Sequence, residues 1–62
     1  MTDDEVLSAA ARDGFELEER PVCGQWVWGW CRGDDTRWPC YRERDQALRW
    51  MADRILRVAV FA

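Results

Sequence analysis

A chain of 62 residues that is 48% hydrophobic, 34% charged and formally −3 has room for one domain, residues 1–62, built on one thin core. The composition excludes a disordered segment, and no apolar run is long enough to span a bilayer. Lys, Asn and His are absent and Ile occurs once, the usage of a GC-rich gene, so Arg in place of Lys carries no chemical information.

The predicted elements begin with a helix. Thr2-Asp3-Asp4-Glu5 fits a capping box, in which the Thr2 hydroxyl accepts from the Glu5 amide and the Glu5 carboxylate accepts from the Thr2 amide. Three acids in the first turn also suit the positive end of a helix dipole. The helix is expected from about Asp3 to Arg12, stopping at Gly14, with Val6, Leu7, Ala10 and Ala11 on its apolar side. Phe15-Glu16-Leu17-Glu18-Glu19 alternates apolar and acidic residues, which predicts a strand with Phe15 and Leu17 inward. Pro21 ends that strand or marks an edge, and Gly24 sits in the turn that follows.

Gln25 to Cys31 is the clearest strand, with Trp26, Trp28 and Trp30 on one face and Val27, Gly29 and Cys31 on the other. Arg32-Gly33-Asp34-Asp35-Thr36 is a turn cluster. Arg37 to Tyr41 is expected as a third strand, at an edge because Pro39 has no amide donor. From about Glu43 the period becomes helical. Leu48, Met51, Ala52, Ile55 and Ala59 fall on one stripe, and Asp45–Arg49 and Asp53–Arg57 are acid-first pairs four residues apart. The apolar run Val58 to Ala62 is expected to be a last helical turn packed on the sheet, or else a self-association patch. The expected class is α+β: a three-stranded antiparallel sheet with an N-terminal and a C-terminal helix packed on one face (α-β-β-β-α).

Catalysis lacks its usual parts. There is no His, and the hydroxyls of Thr2, Ser8, Thr36 and Tyr41 have no base at motif spacing. Cys23, Cys31 and Cys40 have no partner that would generate a thiolate, and their spacing of 8 and 9 matches no zinc motif. No glycine-rich phosphate loop is present. The expectation is a protein that is not an enzyme, with no metal and no cofactor. The polar, acidic N-terminus lacks the basic flank and apolar stretch of a secretory leader, so a cytoplasmic location and three free thiols are expected. Arg32-Gly33-Asp34 matches an integrin-binding tripeptide, but a turn explains those residues adequately.

Two features remain for function. Residues 1–31 carry seven acids against two arginines, and residues 32–62 carry five acids against seven arginines. An acidic field repels phosphate backbones and attracts basic partners. The row Trp26/Trp28/Trp30 is either core under the helices, leaving Glu16 and Glu18 on the solvent face, or an aromatic platform for bases or apolar side chains.

The strands and the helix over Tyr41 to Ile55 resemble the small three-strand-plus-helix DNA-binding modules of phage integrases. Tyr41 stands where an aromatic ends the third strand, and Ala47 and Trp50 stand where an alanine and an aromatic sit on the helix. That resemblance implies DNA binding through a basic sheet, whereas this one carries Glu16, Glu18 and Glu19. In size and acidity the chain resembles the small phage and mobile-element inhibitors of anti-CRISPR type, several of which imitate DNA with rows of carboxylates. On this resemblance Asp3, Asp4, Glu5, Glu16, Glu18 and Glu19 would form such a row.

The functional expectation is a small acidic inhibitor or adaptor, a monomer or weak dimer without membrane contact. It would bind a protein with a basic surface, such as a nucleic-acid-binding effector, by DNA mimicry. Its contact residues would be Asp3, Asp4, Glu5, Asp13, Glu16, Glu18, Glu19, Asp34 and Asp35, with Trp28 as the anchor. The alternative is a nucleic-acid-binding module using the tryptophan face and Arg42, Arg44, Arg49, Arg54 and Arg57. A third reading is an assembly subunit that self-associates through the C-terminal apolar run.

Overall fold

In the computed structural model the capping box closes as the sequence expects. Thr2 N donates to Glu5 Oε1 at 3.1 Å, and Glu5 N donates to Thr2 Oγ1 at 3.3 Å. These bonds, the one from the Thr2 amide above all, hold the Glu5 carboxyl below the usual carboxylate range. The carboxylate half of the cap therefore acts fully above that range and is lost as pH falls through the lowered value, while the bond to the Thr2 hydroxyl does not titrate. Behind it α1 runs Asp3–Arg12, with Val6 and Ala10 buried, Leu7 half-buried and Ala11 exposed. The structure describes the backbone of residues 1–61 and side chains through Val58. The expectations for Ala59 and for the side chains of Val60 to Ala62 lie outside the described residues.

β1 spans Phe15–Val22 and β2 spans Gln25–Arg32, paired antiparallel without interruption from Phe15↔Arg32 to Val22↔Gln25. Cys23 and Gly24 join them, both with positive φ (51° and 79°), as a two-residue type I′ hairpin turn requires. Pro21 therefore does not end the strand. It occupies a position opposite Trp26, and it is tolerated there because β1 is an edge strand. The third strand is much shorter than expected: β3 is Cys40–Tyr41 alone, pairing with Trp28 and Gly29. Trp38 is drawn instead into the core, its ring 4.8 Å from Phe15 and 6.2 Å from Trp50. Pro39 behind it has no amide to offer a ladder.

The sheet order is β1-β2-β3, and α2, Arg44–Phe61, follows. Its stripe faces the core: Ala47, Leu48 and Met51 are buried, Ala52 and Ile55 half-buried. The acid-first pairs within α2 do not close among the described residues. Arg44 instead reaches Asp3 at 3.6 Å, and Arg54 reaches Asp13 at 3.5 Å. Both joints connect positions the same distance apart on the two helices, so α1 and α2 run in the same direction and are tied at each end of α1.

The helices cover one face of the sheet. Trp30 lies at the centre of that layer, fully buried against Val6, Ala10, Phe15, Ala47, Leu48 and Met51. Its indole N–H donates to the Ala47 carbonyl at 2.9 Å, so the one polar atom of a large core side chain is satisfied. We expect Trp30→Phe to cost about 2–4 kcal/mol in denaturant unfolding, from lost volume and a lost buried hydrogen bond.

Candidate functional site

The eight-residue strands of the hairpin reach about 26 Å at 3.3 Å per residue, whereas ten-residue α1 covers about 15 Å. The strands are longer than the helix that packs on β1, and the excess projects at the turn. Every residue from Pro21 to Trp26 is exposed. Trp26 is 65% exposed and Val22 46%, although neighbouring tryptophans of the same row are covered. The row is thus graded. Trp30 is core, Trp28 is half-buried beneath the Arg44 guanidinium at 5.9 Å from its ring, and Trp26 is the free ring. The exposed ring of the row is Trp26, whereas Trp28, the expected anchor, is half-buried.

The acidic residues do not gather into one surface. Asp3 is paired with Arg44. Asp13, at the end of α1, is gripped by Arg32 at 3.2 Å and by Arg54 at 3.5 Å. Asp35 accepts from the backbone and side chain of Arg37, which lowers its carboxyl below the ordinary range. Asp34 is exposed in the turn after β2, and Asp4 and Glu5 are exposed on the first turn of α1. Strand alternation divides the β1 acids: Glu16 and Glu18 share the open face of the sheet, while Glu19 lies on the helix-covered face opposite Trp28. The continuous row of carboxylates expected from the sequence is therefore broken, partly because α2 supplies the arginines that neutralise its ends.

Along the rest of the hairpin the same alternation holds: Glu19, Pro21 and Trp26 share the helix-side face, and Glu16, Glu18 and Val22 the open face. Glu18 is paired with Arg20 at 3.2 Å; Glu16 and Glu19 make no ion pair among the described residues. Arg20 itself lies flat across the open face. It donates to Trp30 O at 3.3 Å and Thr36 O at 3.4 Å, on the far side of β2. This path exists because residue 29 is glycine. A Cβ there would meet the Arg20 guanidinium at 2.8 Å and Cys40 Sγ at 2.9 Å. Arg20 thus staples β1 to the loop before β3 and spreads positive charge under the open face.

The sequence left the Pro21–Trp26 projection open, because Pro21 reads either as the end of a strand or as a position on an edge, and the structure shows the second. The signal was present in the two-residue Cys23-Gly24 turn, which fixes the register and makes β1 as long as β2. The chemistry of the three thiols separates similarly. Cys23 and Cys40 are exposed and Cys31 is buried on the open face beside Arg20. Burial, then the nearby Glu18 and Glu16 carboxylates, pushes the Cys31 thiol up. No group of three metal-ligating side chains converges among the described residues, and none of their helices is long and apolar enough to cross a membrane. No protein-family model, curated protein or solved structure matches the chain.

Two outcomes test this geometry. Alkylation near pH 8 should modify Cys23 and Cys40 first, with Cys31 reacting only in denaturant, as read by mass spectrometry of timed aliquots. Gly29→Ala should destabilise the fold by about 1–3 kcal/mol, and by less when introduced beside Arg20→Ala, because removing the guanidinium relieves one of the two collisions.

Proposed function

We propose that this protein is a small acidic protein-binding module that docks on a cationic protein surface through the projecting end of its β-hairpin. The observation that carries the reading is the exposed Trp26 ring, with Pro21 and Glu19 on the same face of the hairpin beside it. An aromatic ring with adjacent apolar surface is the usual energetic centre of a protein contact. Carboxylates at its rim speed encounter with a basic partner and discourage phosphate backbones. The inhibitor or adaptor role and a cytoplasmic setting belong to the same proposal. Mimicry of a DNA strand draws less support, because Asp3, Asp13 and Asp35 are occupied by arginines.

A second reading rests on the outer face of α2. A shallow depression of about 320 Å³ is lined by Trp50, Asp53, Arg54, Arg57 and Val58, and Arg42, Arg49 and Arg57 make no ion pair among the described residues. Aromatic rings interleaved with guanidinium groups suit single-stranded nucleic acid. The tryptophan face of the sheet lends this reading less support, because the helices bury Trp30 and half-bury Trp28, leaving Trp26 as its exposed ring.

The experiment is capture of partners from a lysate of the cells that carry the gene, followed by titration of the purified partner at several salt concentrations. Trp26→Ala should weaken binding about tenfold or more while changing stability by under about 0.5 kcal/mol. Joint replacement of Glu16, Glu18 and Glu19 by Arg should flatten the salt dependence. Equal affinity for all three proteins would remove the reading. Quenching of tryptophan fluorescence by oligonucleotides, weakening with salt, would replace it with the second.

A further inference from the structure

The outer edge of β1 has no strand beside it, and the hairpin register says which of its backbone groups face outward. In a two-residue hairpin the pair flanking the turn, Val22↔Gln25, exchanges backbone hydrogen bonds, and bonded pairs then alternate. Bonded pairs are thus Val22↔Gln25, Arg20↔Val27, Glu18↔Gly29 and Glu16↔Cys31. The remaining β1 residues, Phe15, Leu17, Glu19 and Pro21, point their backbone groups away from β2. Two bonds on the far side of β2 agree with this assignment. Arg32 N donates to Asp35 O at 2.9 Å, and Trp30 O accepts from Arg20; both residues belong to the non-bonded set.

Resting on the protein-binding reading above, we infer that the β1 edge takes an extended basic segment of the partner as a fourth, outer strand. The amides of Leu17 and Glu19 are outward donors, and the carbonyls of Phe15, Leu17, Glu19 and Pro21 are outward acceptors. A strand laid there would place alternate side chains beside Glu16 and Glu18 on the open face, at cross-strand distances of about 5 Å. Cationic residues at those alternate positions meet two carboxylates, one of which has no ion pair among the described residues. The intervening positions meet Leu17 and Glu19. Addition of a strand to a sheet edge gives affinity from the main chain and specificity from alternate side chains.

The same charges decide against a second copy of this chain as the occupant. Two β1 strands paired edge to edge would bring Glu16, Glu18 and Glu19 of both copies together, and like charges on neighbouring strands are destabilising. Pro21 limits the edge at its turn end, since it offers an acceptor and no donor. The edge is closed to itself and open to an oppositely charged strand, which is specificity by repulsion of the wrong partner.

The test uses the full chain and a capped decapeptide of alternating Arg and Thr, titrated by fluorescence anisotropy. Glu19→Pro removes an outward donor without touching the β1–β2 ladder, as Pro21 already demonstrates nearby; Glu19→Gln removes the charge and keeps the donor. Glu19→Pro should bind about tenfold more weakly than Glu19→Gln, the size expected when one backbone hydrogen bond is lost and its partner stays unpaired. The same decapeptide with N-methylated amides should bind the unaltered protein more weakly by a similar factor, which covers the case in which the proline variant does not fold. Equal binding by Glu19→Pro and Glu19→Gln, with no effect of N-methylation, would overturn strand addition and leave electrostatic docking standing. Absence of any binding by the unaltered protein, or sedimentation showing a dimer abolished by Glu19→Pro, would overturn it as well. Failure of the broader reading is read separately, in the capture experiment with the Trp26 and triple-arginine variants.

Discussion

The indole of Trp30 decides where the sheet and the second helix meet. It is the largest side chain in the core and it is fully enclosed, so the layer on either side must be shaped around it. Its N–H needs a partner in a region without water, and the Ala47 carbonyl supplies one. That bond fixes both the position of α2 along its axis and its rotation about it. Leu48 and Met51 then face inward, and Trp50 turns to the side where it meets Trp38. With α2 so placed, Arg44 and Arg54 arrive opposite Asp3 and Asp13, and α1 is held parallel to it. Such exposed pairs add only about 0–1 kcal/mol each; their role is to orient two helices whose burial supplies the stability.

A core this small covers only part of the hairpin. Helix rise is less than half of strand rise per residue, so covering eight residues of strand requires roughly seventeen of helix. α1 has ten, and α2, although longer, starts near β3 and runs towards the opposite end. The uncovered remainder is the turn end of the hairpin, and the side chains there are apolar where turns are ordinarily polar. The excess length and its composition are separate facts that converge on the same residues, which is why the proposed docking surface lies there and not on the acidic helix.

Helix α1, the pairing of the first two strands and the α2 stripe were legible because each depends on short-range rules: a capping box, a two-residue alternation, a period of 3.6. The length of β1 was left open because a proline on an edge strand costs nothing when its nitrogen faces outward, and facing depends on register that a single strand does not reveal. The third strand shrank because Trp38 buries more area in the core than it could on a ladder. For the candidate site, the count of acids was legible and their arrangement was not. Asp3 and Asp13 meet partners 41 residues away, and only the parallel packing of the two helices brings those partners near.

The arginines in the second half of the chain explain what its acidity is left to do. Arg32, Arg44 and Arg54 are spent at the helix ends and Arg37 in its own turn. Arg20 reaches across Gly29 to the Trp30 and Thr36 carbonyls while pairing with Glu18, so of the β1 glutamates Glu16 and Glu19 are left without an ion pair among the described residues. The β1 edge is therefore where negative charge and free backbone donors coincide, with the exposed Trp26 ring one strand away on β2. A hydrophobic edge with the same hydrogen-bonding groups would pair with any strand, its own copies included. Glutamates on both faces of β1 oppose self-pairing without occupying the backbone, and on the strand-addition proposal the same charges would make the edge selective for a cationic strand.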